Sequence, residues 1–256
     1  MRKVFVKTSN YTRFLAGVSR AEGRGSPEAG ILVVTGPAGE GKTAIKEHWS
    51  VEVGAVHLRA KPDWTLAYFK RDLCAAMRID PHGHNDAVFN RVMNRLGTDR
   101  TPVVIDEAKF CLRDKAIVLQ KARECCDLAE VLLVLGGVTG LENDVSLHDE
   151  ISSRVASWVE LTPSTLADVR MTCEELSEVT IAEDLVARIH NDSGGRMRLV
   201  RNAIAIVEMQ GKRARLKTIT AADVAGQDLV YDWQARRHGR GARIATMKPA
   251  RLDVVK

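Results

Sequence analysis

The 256-residue chain has no run of eighteen apolar residues and no basic-then-apolar segment at its start, so neither membrane insertion nor secretion is indicated. Its five cysteines, Cys74, Cys111, Cys125, Cys126 and Cys173, are odd in number and show no C-x-x-C spacing, which fits a cytoplasmic compartment with reduced thiols. Cys125 and Cys126 fall side by side on a helical stretch, where thiols belong to a core rather than to a metal. His82 and His84 flank Gly83 in a Pro/Gly/Asn/Asp stretch that reads as a solvated loop. Internal repeats and low-complexity tracts are absent too. What is there is 45% hydrophobic residues, enough for one large domain or two smaller ones, each with its own core.

The net charge of +5 is unevenly placed. From Tyr231 onward seven bases (Arg236, Arg237, Arg240, Arg243, Lys248, Arg251, Lys256) face two acids, so the 230 residues before them balance at 31 bases and 31 acids. A neutral body with a cationic tail suits the tail to a phosphate backbone.

The run Gly36, Pro37, Ala38, Gly39, Glu40, Gly41, Lys42, Thr43 has the spacing of a nucleoside-triphosphate cradle. It follows the apolar run Ile31 to Val34 and precedes the start of a helix. The glycines let backbone N–H groups converge on phosphates, and the positive end of the helix adds to that field. Lys42 is placed to reach the β- and γ-phosphates of ATP, and Thr43 to put its hydroxyl on Mg²⁺. Downstream, Pro102 to Ile105 run into Asp106 and Glu107, an apolar strand tipped with two acids. Asp106 then serves the Mg²⁺ shell, and Glu107 orients and deprotonates the attacking water. A water-activating Glu argues for hydrolysis over transfer to a small metabolite.

Strands are expected at Ile31–Thr35, Ala55–Arg59, Val103–Asp106, Val131–Gly136 and Ala156–Leu161. Helices are expected between them at Thr43–Val53, Leu66–Met77, Ala87–Leu96, Lys115–Leu128 and Leu147–Val155, with an amphipathic one over Thr8–Arg20. Alternation of this kind implies a parallel sheet covered on both faces. After Pro163 only helices are expected, at Leu166–Ser177, Ile181–Asn191, Arg196–Gln210 and Ala221–Gly226. The chain divides into an N-terminal linker and helix (1–30), a nucleotide-binding α/β domain (31–162), a small helical lid (163–230) and a basic tail (231–256).

Together these motifs resemble an AAA+ ATPase, and within that superfamily the transposition ATPases typified by the phage Mu B protein, with TniB and TnsC as relatives. The strings that carry the resemblance are FVKTSN from Phe5 with Phe14 and Leu15, VVTGPAGEGKT, VVIDEA, LLVLGG, SSRVASWVEL and SGGRMRLVRNA, between residue 4 and about residue 226. The implied fold is an α/β P-loop NTPase of AAA+ type, with a parallel five-stranded sheet sandwiched by helices and a helical lid. By the same resemblance Arg154 is the arginine inserted into a neighbouring subunit's nucleotide site, where a guanidinium stabilises developing γ-phosphate charge. Arg198 matches the lid arginine that senses nucleotide, with Arg196 as the fallback. The tip of the fourth strand, where the superfamily commonly carries Asn, Thr or Ser, holds Gly136, Gly137 and Val138, and Thr139 is the nearest polar residue.

The implied partners are ATP, Mg²⁺, double-stranded DNA, a transposase and further copies of the chain, in a ring or a helical filament. The Mu B protein carries an added N-terminal DNA-binding domain, whereas about thirty residues precede the first strand here. DNA contact is therefore expected from Arg59 and Lys61 after the second strand, Lys109, Arg113 and Lys115 after the third, and Arg236, Arg237, Arg240 and Arg243 in the tail. Rival readings are a helicase loader or replication initiator of the same fold, and a monomeric small-molecule kinase.

Overall fold

A computed structural model describes residues 1–231. The basic tail residues Arg236, Arg237, Arg240 and Arg243 lie outside the described residues.

Five parallel strands, β1 (Ile31–Thr35), β2 (Val56–Arg59), β3 (Val103–Asp106), β4 (Leu133–Gly136) and β5 (Val155–Glu160), form one sheet in the order β2-β3-β4-β1-β5. Every residue of β1, β3 and β4 is buried, as expected of strands covered on both faces. Side chains alternate between two separate cores. Ile31, Val33, Ile105 and Leu135 pack with α3 (Leu66–Ala76), α4 (Asn85–Asp99) and α5 (Arg113–Ala129). Leu32, Val34, Val104 and Val134 pack with α1 (Ser9–Glu22) and α2 (Lys42–Val53) through Phe14, Val18, Ile45 and Trp49.

Beyond Leu161 a third cluster is built by α8 (Leu166–Leu176), α9 (Glu183–Ser193) and α10 (Met197–Arg213) around Val169, Leu185, Ile189, Val200 and Ile204. Thr165 and Asp168 close a capping box at the start of α8. Asp168 also accepts hydrogen bonds from the Ser9 amide and hydroxyl, each at 2.7 Å. Asn10 Nδ2 donates to the Thr162 carbonyl at 2.7 Å, so the first turn of α1 ties the end of the sheet to the lid. Burial pushes the Asp168 carboxyl up, but these hydrogen bonds outweigh it and hold it below the ordinary carboxylate value.

Three expectations are corrected. The helix expected over Leu147–Val155 is instead α6 (Leu141–Ser146) and α7 (Asp149–Ser152), broken where His148 is extended and Leu147 is 80% exposed. The lid is not all helical: β6 (Thr180–Ile181) and β7 (Thr218–Ile219) pair in parallel, and residues 221–226 form turns rather than a helix. The right-handed part of α5 begins only after Asp114, Lys115 and Ala116, whose φ values of 50°, 59° and 57° are left-handed.

Candidate functional site

The carboxyl ends of the parallel strands converge on one cleft of about 390 Å³, lined by Ala38, Gly39, Gly41, Lys42, Thr43, Asp106, Glu107 and, from the lid, Met197, Arg198 and Arg201. Gly36 opens the loop after β1 at φ 149°, and a Cβ there would lie 2.6 Å from the Leu161 carbonyl oxygen. Only glycine lets the loop leave the sheet so close to β5's end. Pro37 and Ala38 carry it outward, and Gly41 caps α2 in a left-handed conformation. The helix thereby points its unpaired N–H groups into the cleft. Lys42 Nζ donates to the carbonyls of Gly36 at 2.8 Å and Pro37 at 2.6 Å. Burial lowers its pKa, Lys46 lowers it further, and Glu40, Asp106 and Glu107 oppose the shift.

Asp106 and Glu107 end β3 as expected. Thr43 Oγ1 donates to Asp106 Oδ2 at 2.6 Å, which places two hard oxygen ligands side by side. That pair fits Mg²⁺, which takes a hydroxyl and a carboxylate while keeping most of its waters. Glu107 turns through a left-handed φ of 54° and donates its amide to Asp106 Oδ1 at 2.9 Å. A left-handed non-glycine residue costs about 1–3 kcal/mol, and it aims the Glu107 side chain into the cleft that it lines.

The sequence reading missed Lys46. Its side chain is wholly buried one turn after Lys42, with Nζ 2.8 Å from Asp106 Oδ1. Burial alone would raise the Asp106 pKa, but Lys46, Thr43 and the Glu107 amide outweigh it and hold the carboxyl below its ordinary value. Desolvating two ions costs several kcal/mol each, and loss of one partner from such a pair typically costs about 3–5 kcal/mol. The absent side chain at Gly136 was the available signal: a Cβ there would lie 2.1 Å from Lys46 Nζ and 3.0 Å from Asp106 Oδ1. Thr139 stands beside the loop instead, its amide donating to the Gly36 carbonyl at 3.2 Å.

Glu40 is buried, and apart from the nearby Met197 amide neither carboxylate oxygen finds a hydrogen-bond partner among the described residues. Burial therefore pushes its pKa up to about 7, against the pull of Lys42, Arg196 and the Met197 amide. The lid meets the loop where the Arg198 amide donates to the Gly39 carbonyl at 2.9 Å. Arg198 and Arg201, one turn apart on α10, both line the cleft, whereas Arg196 stands at the position just before that helix. Arg201 was not singled out in the sequence.

Arg154 does not end a helix; it follows Ser153 in a turn, and its carbonyl accepts the Ile31 amide at 3.0 Å. That bond sets it at the amino edge of the sheet, a strand's length of about 17 Å from the phosphate loop. Its guanidinium faces Glu28 at 3.8 Å. Arg59 pairs in register with Asp106 across β2 and β3, and its Nη2 stands 4.0 Å from Glu107 Oε1. Arg59 and Lys61 line a hollow with Glu107 and Phe110, and Lys109 and Arg113 line an adjoining one that shares Phe110. Arg113 donates to the Pro62 carbonyl, which ties the loop after β3 to the loop after β2. Lys115 sits in the left-handed turn and lines neither hollow.

A larger hollow of about 500 Å³ between α3, α4 and α5 contains no residue of the phosphate loop and carries no chemistry of this kind. All five cysteines are free and buried, and burial pushes the thiols of Cys111 and Cys173 up to about 12. No cluster of metal-binding side chains and no helix long and apolar enough to cross a membrane is found among the described residues.

No protein-family model matches the sequence. No curated protein matches it either. Solved structures do. The RuvB Holliday junction branch migration motor of Thermotoga maritima is similar over 91% of this chain and 74% of its own, at 18% identity and a TM-score of 0.61. Cdc6p from Pyrobaculum aerophilum covers 88% of this chain at 15% identity and a TM-score of 0.60. The Aeropyrum pernix ORC1 protein, solved in complex with DNA, covers 93% at 17% identity and a TM-score of 0.57. The chain spans 66% of the length of each of the last two. The expected fold, a P-loop NTPase of AAA+ type, is the fold of these neighbours.

Proposed function

We propose that the chain is an ATP-dependent, largely sequence-nonspecific duplex-DNA-binding ATPase of the cytoplasm, which captures target DNA and activates a transposase. The observation that carries this reading is the junction of two features at Glu107. Its carboxylate lines the cleft with Lys42, Thr43 and Asp106, and it faces Arg59 on the rim formed with Lys61, Lys109 and Arg113.

Loop amides and Lys42 would hold the ATP phosphates, and Thr43 and Asp106 the Mg²⁺, which supplies charge neutralisation at the transferred phosphoryl group when bound. Lys42 exchanges its two carbonyl partners for phosphate oxygens, which makes its affinity for the loop dependent on nucleotide. Glu107 accepts the proton of the attacking water. Arg198 and Arg201 report the nucleotide to the lid. Arg154 cannot reach the cleft of its own chain and serves that of a neighbouring copy, so copies assemble head to tail in a ring or an open helix. On the DNA side, basic groups on the rim and in the tail contact phosphates without reading bases. A phosphate that engages Arg59 draws it from Glu107 and frees the base, which couples DNA binding to hydrolysis.

A helicase loader or initiator is the second reading, favoured by the likeness to Cdc6p and to ORC1 in complex with DNA. Electron microscopy of the full chain with duplex DNA and a slowly hydrolysed ATP analogue separates the two. A continuous helical coat is expected for target capture. Discrete rings that load a hexameric helicase, without stimulation of strand transfer, would favour the second reading.

A further inference from the structure

α2 carries two lysines one turn apart with opposite surroundings. Lys42 reaches the cleft, whereas Lys46 lines no part of it and lies wholly buried beneath the loop. The two oxygens of Asp106 are correspondingly unequal. Oδ1 is engaged from behind by the Lys46 ammonium at 2.8 Å and the Glu107 amide at 2.9 Å, while Oδ2, among the described residues, accepts only from the Thr43 hydroxyl at 2.6 Å. The space for this arrangement comes from Gly136 at the tip of β4, where any Cβ would collide with the Lys46 ammonium. A side chain at 136 and an extended Lys46 exclude one another.

We propose that Lys46 is a positioning residue of the nucleotide site: its ammonium pins Asp106 Oδ1, so that Oδ2 is presented with Thr43 to the Mg²⁺ that accompanies ATP. The proposal rests on the ATPase reading above. A carboxylate between strand tip and helix could otherwise swing to share both oxygens with Thr43 and the Glu107 amide. An ion pair that served only stability would lower the melting temperature when removed and leave the response to Mg²⁺ unchanged.

The test is the affinity of the full chain for ATP, measured with excess Mg²⁺ and again in EDTA. Lys46→Met should keep its affinity in EDTA within about threefold of wild type while losing about tenfold or more of the gain that Mg²⁺ supplies, the usual scale for a group that orients a metal ligand. A folded Lys46→Met chain with the wild-type gain would overturn the proposal. The double variant Lys46→Ala/Gly136→Ser places a hydroxyl where the ammonium stands, within reach of Oδ1. It should restore the gain to within about threefold of wild type, and it decides the matter if Lys46→Met does not fold. A folded double variant without the gain would also overturn it. Wild-type protein that binds no ATP in either condition would overturn the ATPase reading itself, an outcome distinct from a variant with an unchanged Mg²⁺ gain.

Discussion

The carboxyl edge of the sheet gathers Lys42, Lys46, Asp106 and Glu107 around a glycine loop, with left-handed backbone at Gly41 and Glu107. At the amino edge Arg154 faces Glu28 at 3.8 Å, Arg123 pairs with Asp127 at 3.0 Å, and Arg24 and Arg100 engage Glu130. One edge gathers its charges around a cavity, and the other carries cations in separate exposed or half-buried pairs, among them Arg154 on a stem that cannot fold round the sheet. On the proposed reading, Arg154 would complete the cleft of a second copy, and the active site would be divided between two copies, one edge of each.

The comparison is sharpest where the amino edge is altered alone. Arg154→Ala should leave ATP affinity nearly unchanged and lower DNA-stimulated hydrolysis by about 10³-fold or more, the effect of a missing arginine finger. Steady-state turnover beside equilibrium nucleotide binding checks this, and an unchanged rate would reduce Arg154 to the partner of Glu28. On the carboxyl edge, Glu107→Gln should cut turnover by about 10²-fold or more while binding persists, because the amide cannot accept a proton. Complexes on DNA should then outlive those of the wild type. Wild-type turnover in that variant would remove Glu107 from the base role.

Arg59→Ala probes the rim of the same edge. An exposed pair at 4.0 Å is worth about 1 kcal/mol at most, so basal hydrolysis without DNA should rise by no more than about fivefold, and the stimulation ratio should fall with it. A ratio equal to wild type would separate the rim from Glu107.

The smallest effect concerns Glu40. Its folded pKa of about 7 stands above the ordinary 4.5, so the native chain holds a proton that the unfolded chain releases, and stability falls as pH rises between those values. Glu40→Gln lacks that decline. Its melting temperature without nucleotide should match wild type near pH 4 and exceed it by a few degrees at pH 8. Parallel curves would mean that Glu40 finds a partner in solution.

Legibility followed sequence distance. The phosphate loop is eight contiguous residues, and Asp106 with Glu107 closes an uninterrupted apolar run, so local pattern located both. The parallel sheet with both faces covered followed from the alternation of strands and helices, whereas the order β2-β3-β4-β1-β5 came from the structure. Lys46 could not be read that way, because its role depends on the missing side chain of Gly136, ninety residues along, and on a strand neighbour set by topology. The meeting of Arg59 with Glu107 likewise depends on parallel register between β2 and β3. In the lid, strands of two residues are too short to show a period, and between Leu141 and Ser152 apolar spacing masked a break at His148.

Mixing two inactive variants tests the divided site most directly. Arg154→Ala supplies an intact cleft and Lys42→Ala an intact amino edge, so hydrolysis should reappear when the two are combined on DNA and should peak at an intermediate ratio. No recovery at any ratio, with co-assembly of the two demonstrated, would contradict a site shared between copies.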